Sequence, residues 1–292
     1  MKQIKIGTCV PGAKAEEWLK GFIGKGFETI SLNFHMSLEG TDLDKLALST
    51  EKLLAGTDSK ITTIGYYCNP IQYAEHRKTL ENVICTAGKF GATHVSTFAG
   101  AWEGKPVESA YEEFGKVFRE LADLAEEKGV KLGIENCLMD GTWEHATCNI
   151  GFNPKAWEVM FEEVKNDNFG LEWEPTHQMV QLIDPVTELR KWCKKIVHIH
   201  GKDATIAWDA VRHSDISGAV PFVWHRMPGF GDTNWRDIIS ILRSNGYEDD
   251  ICIEGYHDPV YSGELEMTGQ LHALNYLKWC RGGDFTPTPW AK

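Results

Sequence analysis

The sequence predicts a single-domain α/β protein that closes as a (β/α)8 barrel. Three observations predict it. Short β-rich apolar runs alternate with longer helix-period segments, eight of each can be counted, and charged residues gather where the later strand runs end. The chain's 292 residues would suggest two domains at about 150 residues each, but a barrel of this class holds about 250 or more in one core. The barrel is expected over residues 1–281, followed by a tail at 282–292.

The strand runs fall at residues 4–8, 29–33, 61–67, 94–98, 131–135, 169–174, 196–200 and 251–254. The helical segments between and after them fall at 15–24, 42–54, 71–90, 108–128, 154–164, 184–192, 235–245 and 264–281. Gly26, Gly91, Gly129 and Gly246 each follow a helical run and precede a strand, as a C′ residue in the left-handed region does. Pro154 and Pro185 fall in the first turn of their helices, where the missing N–H is no loss. Helix-to-strand connections are short, whereas those after the fifth and seventh strands, 136–153 and 202–234, are long. Both lie on the face where the strands' C-terminal ends meet, which is where barrel enzymes keep their chemistry.

Lys and Arg total 30 against 42 Asp and Glu, a formal charge of -12, so the long-range field repels nucleic acid and anionic membrane surfaces. The opening MKQIKIGTCV enters a strand without a signal-peptide core, and no stretch approaches the roughly 20 apolar residues of a spanning helix. A cytoplasmic protein is expected. The eight cysteines, Cys9, Cys68, Cys85, Cys137, Cys148, Cys193, Cys252 and Cys280, form no CxxC pair and read as free thiols, with Cys137 and Cys148 flanking the loop after Glu135. A homo-oligomer is allowed, but no seam in the sequence specifies one.

The last four strands end in GIEN, LEWEPTH, VHIHGKD and ICIEGYHD, which place Glu135, Glu174, His200 and Glu254 at the barrel mouth. Strand parity points Glu172 inward with Glu174, and His198 and Lys202 to the same side as His200. Carboxylates turned into an apolar barrel need a partner or a metal. Three carboxylates with one imidazole form an oxygen-rich set that suits one divalent cation, Mn²⁺ first, with Mg²⁺, Co²⁺ or Zn²⁺ as alternatives.

The segments GIEN, FGLEWEPTHQMVQLIDP, HIHGKD, MPGFGDTNW and ICIEGYHDP resemble successive motifs of the xylose isomerase-like TIM-barrel superfamily, in particular its sugar phosphate isomerases and epimerases. The match runs from about residue 131 to 259, with the barrel rhythm covering the rest. The resemblance implies Glu135, Glu174, His200 and Glu254 as ligands of one divalent metal. Glu174 stands where the family carries an aspartate, and the stretch 138–143 lacks the substrate-binding glutamate of some epimerases.

It further implies a metal-dependent isomerase or epimerase of a keto-sugar or sugar phosphate, working by proton transfer through a metal-bound enediolate, with Glu135 and Glu254 as acid and base. His177 and Lys202 are candidates for substrate contact. Aromatic and polar residues at the strand ends and in the long loops suit a carbohydrate pocket: Tyr66, Tyr67, Asn69, Phe98, Trp143, His145, Asn149 and Phe152. The seventh loop adds Arg212, His213, His225 and Arg226, of which Arg226 is the choice for an anionic substrate group. The competing readings are a metal-dependent dehydratase or lyase of a keto-sugar or inosose, an apurinic endonuclease and a sugar-binding protein without catalysis. The endonucleases need further histidines at earlier strand ends, whereas the third strand here ends in Tyr66, Tyr67 and Cys68.

Overall fold

A computed structural model describes residues 3–290; the outermost residues of the expected barrel and tail segments, 1–2 and 291–292, lie outside the described residues. Eight parallel strands close on themselves: β1 (Lys5–Pro11), β2 (Thr29–His35), β3 (Lys60–Tyr67), β4 (His94–Thr97), β5 (Lys131–Glu135), β6 (Phe169–Trp173), β7 (Ile196–Gly201) and, after an inserted hairpin, β10 (Asp250–Ile253). Neighbours around the ring are neighbours in sequence, and β1 seals it by pairing Lys5–Thr8 with Asp250–Ile253. A (β/α)8 TIM barrel is the result, and all eight expected strand runs are in it.

Eight helices cover the outside: α1 (Ala15–Phe22), α2 (Leu43–Leu54), α3 (Ala74–Thr86), α4 (Tyr111–Glu127), α5 (Pro154–Glu163), α7 (Pro185–Trp192), α9 (Trp235–Ser244) and α10 (Glu266–Cys280). Their starts follow from short polar side chains that capture free N–H groups: Asp42 accepts from Asp44 and Lys45, Asn153 from Lys155, Asp184 from Val186 and Asn234 from Asp237. Gly26, Gly91, Gly129 and Gly246 all take the left-handed conformation. The main apolar core lies between strands and helices, where Trp157, Trp173, Trp235, Phe114, Phe118 and Phe169 are fully buried.

Inside the barrel the packing is polar. Glu172, His198 and Asp250 are buried one after another along the interior, with His198 Nδ1 2.6 Å from Glu172 Oε1 and its Nε2 3.4 Å from Asp250 Oδ1. Charges at this depth persist only when paired.

The long loops hold structure that periodicity does not announce. After Glu174 comes a short helix, α6 (Pro175–Met179). The seventh connection folds into an antiparallel hairpin, β8 (Asp203–Ile206) with β9 (Val223–Arg226), and its link carries α8 (Trp208–Ser214). Asp203 fastens this excursion by accepting from the backbone of Ala204, Gly229 and Thr233. No helix among the described residues is long and apolar enough to cross a membrane.

Candidate active site

The mouth of the barrel opens into a cavity of about 820 Å³ lined by Glu135, Cys137, His177, Lys202 and Glu254, with Tyr67, Phe98 and Trp224 among its aromatic walls. Below and beside it, one ligand atom from each of Glu135, Glu174, His200 and Glu254 lies within 4.8 Å of the others. The four strand-end residues named from sequence are thus brought together, and Glu174, with its extra methylene, reaches the same centre as the rest.

Local backbone chemistry fixes them. Asn136 stands between the ends of β5 and β6: its Nδ2 donates to Glu174 O and its Oδ1 accepts from Glu174 N, at 2.9 and 2.7 Å. Asn149 returns from the fifth loop, donates to the carbonyls of Glu135 and Cys137, and accepts from Ala99 and Gly151. His200 directs Nε2 away from the mouth, 3.2 Å from both Glu172 Oε1 and Tyr67 Oη. Its Nδ1 faces the three carboxylates of Glu135, Glu174 and Glu254, 2.9 Å from Glu135 Oε1 but without an aligned hydrogen bond. A carboxylate behind a histidine in this way sets ring orientation and tautomer for a metal in front of it.

The charge balance of this cluster calls for a cation. Glu174 is fully buried and neither of its carboxylate oxygens has a hydrogen-bond partner. Burial pushes Glu135 up to about 7 and Glu174 up to about 8, against the pull of His200 and Lys202. Burial also acts to raise Glu254, but Lys202, 2.7 Å away, and then His200 hold it below the ordinary carboxylate range. Burial opposes charge on His200 as well, yet Glu172 keeps it protonated well above its usual value. Protons occupy a carboxylate-rich site that a divalent ion would neutralise better, and the residues present fit one.

Of the substrate-contact candidates, His177 and Lys202 line the cavity. Burial, then Lys202, push His177 well below its usual pKa, so it is a neutral imidazole. Lys202 pairs with Glu254 and not with Asp203, which is committed to backbone. Tyr67, Phe98 and His225 line the cavity too, whereas Asn69, His145, Phe152, Arg212 and His213 do not, and neither do Tyr66, Trp143, Asn149 and Arg226. Tyr66 points into the outer core, and its neighbour Tyr67 faces inward to bond Glu172 Oε2 at 2.9 Å, because side chains alternate along β3. Trp143 donates Nε1 to Glu108, Asn149 is spent on backbone, and Arg226 is held by Asp258 Oδ2 at 3.2 Å beside the Phe230 ring.

Three more histidines line the cavity, His35 at the end of β2, His225 on β9 and His257 after β10. The rings of His225 and His257 continue a row from His177, with centroids 6.0 Å apart for His177–His225 and 5.9 Å for His225–His257. Nothing in the sequence separates His225 from its neighbours in the loop except its alternation in a strand that only the fold reveals.

The family model for xylose isomerase-like TIM barrels matches residues 25–278, and the chain belongs to that family. Among particular proteins, it is similar to an inosose dehydratase of Clostridium tetani, 27% identical over 184 residues that make up 61% of this chain and 57% of the relative. The chain therefore spans little more than half the length of that curated relative. Its fold superposes on D-psicose 3-epimerase solved in the presence of D-fructose, with a TM-score of 0.71 at 16% identity over 96% of this chain and 100% of that one. It also superposes on IOLI protein with a bound zinc atom, with a TM-score of 0.64 at 20% identity over 95% and 96% of the two chains.

Proposed function

We propose that this chain dehydrates a keto-polyol, an inosose or related keto-sugar, by removing the proton from a carbon beside the carbonyl and expelling a neighbouring hydroxyl as water. The observation that carries the reading is the pairing of Lys202 with Glu254 inside the ligand cluster. A two-glutamate epimerase needs two free carboxylates on opposite faces of the substrate. Here Glu254 is tied to an ammonium, whereas Glu135 faces the cavity beside His200 and has no ammonium of its own.

A divalent cation held by Glu135, Glu174, His200 and Glu254 would supply Lewis-acid polarisation of the substrate carbonyl. Glu135 then takes the proton from the adjacent carbon and, once protonated, returns it to the departing hydroxyl, so water leaves and the carboxylate is restored. Lys202, itself buried, stands where negative charge develops and stabilises it. Neutral His177 and His225 are placed to hold substrate hydroxyls, and Tyr67, Phe98 and Trp224 supply flat walls. The relatives' names support the substrate class, and the oxygen-rich ligand set supports Mn²⁺, Mg²⁺, Co²⁺ or Zn²⁺.

Epimerisation is the second reading, favoured by Glu135 and Glu254 lying on either side of His200 and both lining the cavity. Product analysis in D2O decides between them. Incubation with an inosose gives a product lighter by one water if dehydration is right. Unchanged mass apart from one incorporated deuterium, with one inverted centre, means epimerisation. No exchange and no water loss with any keto-polyol would overturn both.

A further inference from the structure

The two carboxylate oxygens of Glu174, neither of them hydrogen-bonded, have different neighbours: Oε2 lies 3.7 Å from His200 Nδ1, whereas Oε1 lies 3.3 Å from His177 Nε2 and 3.8 Å from Lys202 Nζ. Next to His177, ligand atoms of Glu135, Cys137 and His177 lie within 4.8 Å of one another. We propose that Cys137, His177 and Glu135 form a second cation position beside the first, one that takes a borderline-soft divalent ion such as Zn²⁺ or Co²⁺ through the Cys137 sulfur.

The backbone builds this position as firmly as the first. Glu135 and Cys137 are two residues apart and face the mouth together, while Asn136 between them is turned to the backbone of Glu174. Asn149 Nδ2 holds the carbonyls of both Glu135 and Cys137, at 2.9 and 2.8 Å. His177 sits on α6, and its carbonyl accepts from Gln181 Nε2 at 2.8 Å, which secures the short helix. Cys137 and His177 both line the cavity, so an ion has a route in.

The two positions differ in chemistry. Oxygen donors dominate the first, whereas a thiolate, an imidazole and one carboxylate suit zinc or cobalt over magnesium or manganese. Binding converts the Cys137 thiol to a thiolate and releases its proton to solvent, one per ion. The inference rests on the reading that Glu135, Glu174, His200 and Glu254 hold the first cation, so the test separates the two.

Cobalt titration of the metal-free protein, followed by absorption spectroscopy and by X-ray absorption at the cobalt edge, provides that test. The full protein should take up about two equivalents and show a near-ultraviolet thiolate-to-cobalt charge-transfer band with one sulfur scatterer. Cys137→Ser should lose the band and one equivalent while keeping the other. His177→Asn, which leaves the thiol in place, should also lose one equivalent and guards against a folding defect in the cysteine variant. His200→Asn should lose the other equivalent and keep the band. A single equivalent without a band, or a band that persists in Cys137→Ser, overturns the second position and leaves the first standing. Uptake unchanged in His200→Asn overturns the first.

Discussion

Glu174 and Lys202 show how single residues set the chemistry of this centre. Asn136 fixes the backbone of Glu174 through two hydrogen bonds, yet the carboxylate it delivers is buried without a hydrogen bond of its own. Glu174→Gln keeps the shape and removes the charge, so it should weaken divalent-cation binding by at least about tenfold, ~1.4 kcal/mol, as read by calorimetric titration. Unchanged affinity would remove Glu174 from the ligand set. Lys202→Met leaves Glu254 without its ammonium. Turnover should fall by at least about a hundredfold, and the metal-free protein should lose roughly 3 kcal/mol of stability in a denaturant titration, a loss that added cation offsets while turnover stays low.

Tyr66 and Tyr67 show the grain of what sequence conveys at this scale. Both end an apolar run, and nothing in composition tells which one faces inward. The fold decides for Tyr67, whose ring lies against Gly65: a Cβ added there would stand 2.6 Å from Tyr67 Oη. Gly65→Ala should therefore displace Tyr67 from Glu172 and His200 and weaken cation binding, whereas Tyr66→Phe should leave it unchanged. Equal effects of the two in the same titration would contradict the assignment.

Elements were legible where they are long or strongly patterned. Their position at the ends of strand runs put Glu135, Glu174, His200 and Glu254 at one mouth, and strand parity pointed Glu172 and His198 inward, where they stand behind His200. The hairpin β8–β9 and helix α6 were not legible, because strands of four residues and a helix of five are too short to show a period. That hairpin carries Trp224 and His225 into the cavity wall, so part of the pocket was hidden with it. The loop after β5 depends on one side chain. Asn149 satisfies backbone groups of Ala99, Gly151, Glu135 and Cys137, and Asn149→Ala would leave several of these buried and unpaired. A cost of about 1–3 kcal/mol is expected in thermal unfolding, together with weaker cation binding.

At the scale of the whole molecule, the barrel places a strongly acidic centre at the end of a closed ring, and its stability should report that. Glu135 and Glu174 are raised above their unfolded values, to about 7 and about 8, and His200 is raised as well. Each favours folding at low pH and loses that contribution as pH rises through its folded value. His177 and His225 are lowered, His225 to about 4, and their opposite effect is complete once pH passes the ordinary histidine value of about 6.5. Between pH 6.5 and 8 the metal-free protein should accordingly lose on the order of 1–2 kcal/mol, and a divalent cation should restore more at pH 8 than at pH 6.5. A flat profile would show that the acidic centre carries no such strain. Arg281, just after α10, pairs with Glu28 and donates to Ile4 O, so that the end of the last helix is fastened to the residues that lead into β2 and β1.

The centre itself is tested most directly by anomalous scattering from crystals grown with Mn²⁺. The account predicts a peak bounded by Glu135, Glu174, His200 and Glu254 in the full protein, and its loss in Glu174→Gln. A map without a peak there at saturating Mn²⁺, or a peak that ignores the Glu174 substitution, would contradict it.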